Sequence, residues 1–155
     1  MIVYNEIEPF AVEWLKNLIA LGQLPGGVVD ERPIQSLRGT LRGARQFHTF
    51  CGIGGWPLAI RLAGWPEEQE VWTGSCPCQP FSSAGKGGGV KDLRHLWPEF
   101  FRLIAEYRPS VVFGEQVSGK AGLGWLDGVF SDLEGEGYTC GAVVVGAHSV
   151  GAPHI

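Results

Sequence analysis

The sequence predicts a single α/β domain with a mostly parallel sheet. Short runs of apolar and β-branched residues alternate along the chain with longer segments whose apolar residues recur at helical spacing. Polar residues or glycines follow most of the predicted strands. The length of 155 residues is that of one domain. Strands that alternate with helices are typical of βαβ units, in which neighbouring strands run parallel.

The first half of the chain contains three predicted strands and two predicted helices. The strands are Ile2–Tyr4, Val28–Val29 and Gln46–Phe50, and the helices are Phe10–Leu21 and Trp56–Leu62. Gly22 follows the first helix and is a typical residue for its C-terminal end. Residues 32–44 are expected to form a polar connection.

The second half continues the alternation. The predicted strands are Val71–Thr73, Val111–Phe113 and Gly141–Val145, and the predicted helices are Leu93–Tyr107 and Leu123–Leu133. We expect Pro98 in the first turn of its helix, where the missing N–H of proline costs little.

Composition narrows the classes of function. The net charge is −4, and no basic patch indicates a nucleic-acid partner. No run reaches the roughly 18 apolar residues of a membrane span, and the acidic N-terminus does not resemble a signal peptide. We therefore expect no membrane contact and a cytoplasmic location. Thiols stay reduced there, so the four cysteines are expected to be free, catalytic or metal-bound.

The stretch TGSCPCQPFSSAGKGGG, residues 73–89, contains two of the cysteines. Only one residue separates Cys76 from Cys78, which is closer than in structural zinc sites, and no second pair exists. We expect no metal site, and a redox CxxC motif is absent. A nucleophile needs a thiolate, which a loop between a strand and a helix N-terminus favours. Cys78 is the better placed of the two, and Cys76 is expected to serve packing.

Candidate ligand-binding residues follow five of the predicted strands. Ligands of parallel sheets bind at the edge formed by the carboxyl ends of the strands, here called the carboxyl edge. The candidates on this edge are Glu6, Asp30, Cys51–Gly55, Cys78 and Glu115. Polar residues also end strands without any function. The glycine turn is a weak signal alone, because Pro57 occupies the third glycine position of a dinucleotide fingerprint.

Four motifs in a fixed order make the pattern more specific. They are Phe50-Cys51-Gly52-Ile53-Gly54-Gly55, then Pro77-Cys78-Gln79-Pro80-Phe81-Ser82 with Ala84-Gly85, then Asp92-Leu93-Arg94 to Pro109, then Gly114-Glu115-Gln116-Val117. In this combination they resemble DNA cytosine carbon-5 methyltransferases of the phage and bacterial type, which are associated with restriction–modification. The first resembles the cofactor loop, the second the catalytic loop, and the last the family's Glu-Asn-Val.

The resemblance implies a Rossmann-like fold that binds S-adenosylmethionine. The cofactor residues that it implies are Phe50, Cys51, Gly52, Ile53, Gly54, Gly55 and Pro77. By the same resemblance, Glu6 would hold the ribose hydroxyls and Asp30 would lie by the adenine amino group. Trp56, directly after the turn, is a further candidate contact.

The resemblance also implies covalent catalysis on a cytosine that has flipped out of DNA. The Cys78 thiolate would add to carbon 6, and Glu115, expected to lie buried near the pocket, would bond ring nitrogen 3. Gln79, Ser82 and Gly85 would belong to the substrate loop. Gln116 replaces the family's asparagine, which leaves its bracing role open.

The motif order departs from that of the family. Residues 56–76 are too few for the two further strands, each followed by an acid, that the family places there. Such strands occur at the front of the chain instead. We predict a rearranged sheet with Gln46–Phe50 in the centre. Ile2–Asn5 and then Val28–Val29 would lie on one side, and Val71–Thr73 and then Val111–Phe113 on the other. The alternative is an unrelated N-terminal cap.

The C-terminal GAHSVGAPHI resembles the approach to the family's arginine motif, and the chain stops at Ile155. We expect residues 1–155 to be a partial catalytic domain without a target-recognition domain. Gly141–Val145 would then lie loosely, pair out of place or recruit a second chain. Two other functions stay open. One is a non-catalytic S-adenosylmethionine-binding relic or interaction module, and the other is an RNA base methyltransferase.

Overall fold

The computed structural model describes residues 1–77, 96–117 and 120–152, without the side chains of residues 120–123. The chain forms two compact units, Met1–Gln116 and Val117–Ile155. The first contains the sheet, and the second contains a helix and an extended segment.

The first unit alternates strands and helices as predicted. Its elements are β1 (Ile2–Asn5), α1 (Pro9–Ala20), β2 (Val28–Asp30), β3 (Gln46–Thr49), α2 (Gly55–Leu62), β4 (Val71–Gly74), α3 (Trp97–Tyr107) and β5 (Val112–Gly114). Helix α3 begins at Trp97, and Pro98 lies in its first turn as expected; the predicted start at Leu93 lies outside the described residues. Gly22, just past the end of α1, has a φ of 66°, which favours glycine.

The five strands form one parallel sheet in the order β2-β1-β3-β4-β5. This is the predicted order, with β3 in the centre. The N-terminal strands are therefore part of the sheet, and the alternative of an unrelated cap is wrong. The fold is the α/β class that the sequence predicts.

Every residue of β1, β3 and β4 is buried, because helices cover both faces of these central strands. On one face, Leu15 of α1 packs with Ile2, Tyr4, Leu24 and Cys51. On the other face, the ring of Phe47 meets Trp72 edge-on at 4.8 Å, and Trp72 contacts Tyr107 of α3. The alternation of strand side chains produces these two cores.

The connection between β2 and β3 is more apolar in structure than its sequence suggests. It contains a 3₁₀ turn at Ile34–Ser36, and the side chains of Ile34, Leu37 and Leu41 are buried. The expectation of a merely polar connection is therefore wrong. Ile34, Leu37 and Leu41 recur at helical spacing, but Arg38 and Gly39 interrupt the run, so the sequence predicts no helix or apolar face there.

The second unit contains helix α4 (Lys120–Gly135), which confirms the predicted helix, and a 3₁₀ turn at Ala147–Val150. The predicted strand Gly141–Val145 is wrong, since these residues form no strand. Val143, Val144 and Val145 are 82%, 72% and 61% exposed. A strand needs a neighbour that accepts its hydrogen bonds, and valine content does not supply one. Within the described ranges, no helix is long and apolar enough to cross a membrane.

Candidate active site

Glu6 and the glycine turn meet at the carboxyl edge, although they are far apart in sequence. Gly52 donates its backbone N–H to Glu6 Oε2 at 2.7 Å. The other carboxylate oxygen, Oε1, accepts from the N–H groups of Ile7 at 2.8 Å and Glu8 at 2.9 Å. The parallel pairing of β1 with β3 brings these residues together, as the rearranged order predicts.

The turn after β3 exposes its main chain. Phe50 and Gly52 have φ values of 53° and 51°, and Gly54 has 90°. A Cβ atom at Gly52 would meet no atom within 4 Å, so the backbone there borders open space. A Cβ atom at Gly54 would lie 3.1–3.2 Å from side-chain atoms of Leu24 and Leu15. Gly54 thus serves helix packing, whereas Gly52 leaves room for a ligand.

Cys51 belongs to the core rather than to the edge. Its side chain is 6% exposed and packs in the apolar cluster beneath α1. Burial, and secondarily the nearby Glu6 carboxylate, raise the pKa of the Cys51 thiol far above its ordinary value. Among the cofactor residues named from the sequence, Cys51 can therefore offer only its backbone. Ile53, in contrast, is 69% exposed.

Asp30 ends β2 beside Glu6, whose N–H donates to the Asp30 carbonyl at 3.2 Å. Its carboxylate is held by Arg32. Oδ1 accepts from the Arg32 backbone N–H at 3.1 Å and from Nε at 2.9 Å, and Oδ2 accepts from the guanidinium at 2.6 Å. Hydrogen bonding to the Arg32 side chain lowers the pKa of Asp30. Asp30 is thus a fixed carboxylate.

A pocket of about 350 Å³ opens beside the start of α2. Gly55, Trp56, Ala59, Ser75 and Glu115 line it. The Trp56 indole donates to the Ser75 hydroxyl at 2.8 Å, and its ring stacks on Phe113 at 6.0 Å.

Two findings at this pocket differ from the sequence analysis. Glu115 is exposed, so the expectation that it lies buried is wrong for this structure. Its strand, β5, ends at Gly114, and the residues described after it leave the side chain open. Ser75 and Phe113 were missed, because a lone serine and a strand aromatic carry no motif. Ser75 could have been found from its place between β4 and the proline–cysteine pair.

Cys76, two residues before Cys78, is buried and hydrogen-bonded to the segment after β5. Cys76 is 7% exposed, and burial raises the pKa of its thiol to about 12. It therefore stays neutral near pH 7, which agrees with the predicted packing role. The Gln116 side-chain amide donates to the Cys76 carbonyl at 3.4 Å. This long hydrogen bond connects the segment after β5 with the segment that precedes Cys78.

The loop that the sequence predicts to be catalytic lies outside the described residues. Cys78, Gln79, Ser82 and Gly85 belong to residues 78–95, and Pro77 is the last described residue before them. Among the residues that the structure does describe, no group of three His, Cys, Asp or Glu side chains is arranged to hold a metal ion.

Comparison with known proteins identifies relatives. The Type II methyltransferase M.AplI of Arthrospira platensis is 33% identical over 86 residues, which cover 54% of this chain and 25% of that protein. The Type II methyltransferase M.PspPI of Psychrobacter sp. is 49% identical over 53 residues, which cover 34% of this chain and 13% of that protein. The Type II methyltransferase M.NgoMIV of Neisseria gonorrhoeae is 44% identical over 50 residues, which cover 32% of this chain and 16% of that protein. The matches thus span a quarter or less of these relatives. No solved structure matches the chain.

A family model for C-5 cytosine-specific DNA methylases matches residues 59–155. The match is well over half of the chain and includes Cys78 and Glu115. It begins within α2 and leaves out β1, α1, β2, β3 and the glycine turn, so that Pro77 is the one proposed cofactor residue inside the match. The chain belongs to the C-5 cytosine-specific DNA methylase family.

Proposed function

We propose that this chain carries the cofactor-binding and catalytic part of a DNA cytosine carbon-5 methyltransferase that uses S-adenosylmethionine. The observation that carries the proposal is the contact between Glu6 and the Gly52 N–H at 2.7 Å. It joins an acid and an open glycine turn on the edge where parallel sheets bind ligands. Family membership supports cytosine in DNA as the substrate.

The two acids fit the hydroxyl and amino groups of such a cofactor. A carboxylate has about four acceptor positions. On Glu6, three backbone N–H groups occupy three of these positions. On Asp30, the backbone and side chain of Arg32 occupy three. Each acid therefore keeps one acceptor direction, on Glu6 Oε2 and Asp30 Oδ2. Glu6 would accept from a ribose hydroxyl and Asp30 from the adenine amino group.

The remaining cofactor contacts would come from the turn and the segment after β4. Gly52 offers open main chain, Ile53 an exposed apolar side chain, and Gly54 and Gly55 the start of α2. Phe50 and Pro77 are half-buried at the two strand ends. When bound, S-adenosylmethionine supplies the methyl sulfonium, the electrophile that carbon 5 of cytosine needs.

The residues of the chain would prepare the cytosine for this reaction. The Cys78 thiolate forms a bond to carbon 6, and the ring electrons move so that carbon 5 becomes nucleophilic. Glu115, in the protonated form that this step requires, would donate a hydrogen bond to ring nitrogen 3 and so offset the negative charge that develops there. After methylation a base removes the carbon 5 proton, and the bond between sulfur and carbon 6 breaks. Gln79, Ser82 and Gly85 belong to the loop that would close over a flipped cytosine.

Cofactor binding is testable on the chain by titration calorimetry. We expect S-adenosylmethionine to bind and to raise the melting temperature. Glu6→Ala should weaken binding, while Glu13→Ala, an exposed acid on α1, is the control and should not. Absence of both heat and thermal shift for the wild-type chain at millimolar ligand would remove the cofactor assignment.

Covalent catalysis is testable in the whole protein with DNA that contains 5-fluorocytosine, because fluorine blocks the final elimination. We expect a stable adduct that Cys78→Ser abolishes and Cys76→Ser retains. The reverse pattern would assign the nucleophile to Cys76. Cofactor binding without any adduct would favour a non-catalytic S-adenosylmethionine-binding protein, and an adduct with RNA alone would favour an RNA base as substrate.

A further inference from the structure

Asn5 is a buried amide at the end of β1 whose hydrogen-bonding groups are all used. It is 3% exposed. Its Nδ2 donates to the carbonyl of Asp30 at 3.0 Å and to that of Arg32 at 2.8 Å. Its Oδ1 accepts from the hydroxyl of Thr49, itself 1% exposed, at 3.0 Å.

These bonds join the three strand ends that lead into the candidate cofactor groups. Glu6 follows Asn5 directly, and Asp30 is itself one of the partners. Thr49 is the last residue of β3, three residues before Gly52. One side chain thus links the segments that carry both acids and the open glycine.

We propose that Asn5 is a positioning residue for the cofactor site, which fixes the spacing of Glu6, Asp30 and the Gly52 backbone. The inference rests on the proposed binding of S-adenosylmethionine. Asn5 does not touch the ligand. It acts by holding the groups that do, as the supporting shell of a preorganised site must.

The backbone ladders between these strands end at Asn5. Asn5 pairs with Asp30 and with Thr49 in the last register positions of the two ladders. Beyond them, Glu6 N–H to Asp30 and Cys51 N–H to Asn5 are both 3.2 Å long. The carboxamide adds bonds of 2.8–3.0 Å at the point where the ladders end. An apolar residue of similar size would leave two carbonyls and a hydroxyl without these partners.

Gln46 provides a matched control at the other end of the sheet. It is a buried amide, 3% exposed, at the start of β3. Its Nε2 likewise donates to two backbone carbonyls, those of Pro66 at 3.1 Å and Glu67 at 3.4 Å. It lies far along the strand from the carboxyl edge. A purely structural role would make Asn5 and Gln46 equivalent in their effect on cofactor affinity.

The test compares Asn5→Leu with Gln46→Met by titration calorimetry with S-adenosylmethionine and by melting temperature. We expect both variants to lose thermal stability and Asn5→Leu alone to weaken binding, by about tenfold or more. Hydrogen exchange without ligand gives a second reading, in which the Gly52 amide should lose protection in Asn5→Leu and keep it in Gln46→Met. If Asn5→Leu does not fold, Thr49→Val replaces it, with Thr49→Ser expected to restore affinity and protection.

The outcomes separate the two proposals. Failure of the wild-type chain to bind would overturn the cofactor assignment, and the exchange of the Gly52 amide would still test Asn5. The positioning role would be overturned if Asn5→Leu kept wild-type cofactor affinity and Gly52 amide protection. It would also be overturned if Asn5→Leu and Gln46→Met lost affinity and protection equally.

Discussion

Two valine-rich runs have nearly the same sequence signal, and only one becomes a strand. Val28–Asp30 forms β2, although Val28 is 54% exposed. Val143–Val145 is also exposed and forms no strand. The first run pairs with β1 in register from Val28 to Asp30, whereas among the described residues no strand pairs with the second. A valine-rich composition therefore predicts a strand, but the strand forms only where a neighbouring strand can pair with it.

The largest expected effect comes from breaking the contact between the start of β2 and β1. A Cβ atom at Gly27 would lie 2.6 Å from a ring carbon of Tyr4 and 2.7 Å from the Ile2 carbonyl oxygen. We expect Gly27→Ala to lower the free energy of unfolding by about 3 kcal/mol. Gly26→Ala is the control, because its Cβ atom would meet nothing within 4 Å. Equal denaturation midpoints for the two variants would contradict the steric explanation.

A smaller effect concerns the buried histidine of β3. His48 is 1% exposed, with Nδ1 at 2.8 Å from the Thr73 hydroxyl and its ring stacked on Tyr4. Burial lowers its pKa from 6.5 to about 4. Between these values the unfolded chain binds more protons than the folded one, so stability is full above pH 6.5 and falls as the pH drops toward 4. From pH 7 to pH 5 we expect His48 to contribute a loss of about 2 kcal/mol.

Urea denaturation at several pH values measures this contribution. His48→Gln should flatten the pH profile, and His148→Gln, whose side chain is exposed in the second unit, should leave it unchanged. A wild-type slope that persists in His48→Gln would assign the dependence to other groups.

The smallest expected effects compare the same substitution inside and outside the sheet. Val71 of β4 is fully buried, at 0% exposure, and Val144 is 72% exposed. Val71→Thr buries a hydroxyl and should cost about 1–2 kcal/mol. Val144→Thr should change the free energy of unfolding by less than about 0.5 kcal/mol. A comparable loss at Val144 would indicate that its segment is covered in solution.

The order of the five strands could be predicted because each of them has a local apolar signal and the carboxyl edge constrains their order, whereas the same kind of signal at Gly141–Val145 predicted a strand that does not form. The family resemblance assigned Glu6 and Gly52 to one cofactor, and because two groups that bind one ligand must lie close together, it placed β1 beside β3. Side-chain contacts across elements could not be predicted in this way. The bonds of Trp56 to Ser75 and of Gln116 to Cys76 depend on how α2, β4 and β5 pack. The exposure of Glu115 likewise depends on which segments surround it.

The spatial order β2-β1-β3-β4-β5 also bears on how the sheet is assembled during synthesis. The first two strands of the given sequence are neighbours, β3 adds beside β1, and β4 and β5 each add beside the strand made before them. After the first pair, the sheet can therefore grow in one direction across its width, and none of the described strands has to insert between two that are already paired. Each addition closes only the loop that has just been made, which keeps its entropic cost small. At each stage the last strand has unpaired backbone N–H and C=O groups with which the next strand can pair. An interruption of synthesis would leave a shorter sheet whose last strand has an unpaired edge, and that edge could pair with another strand.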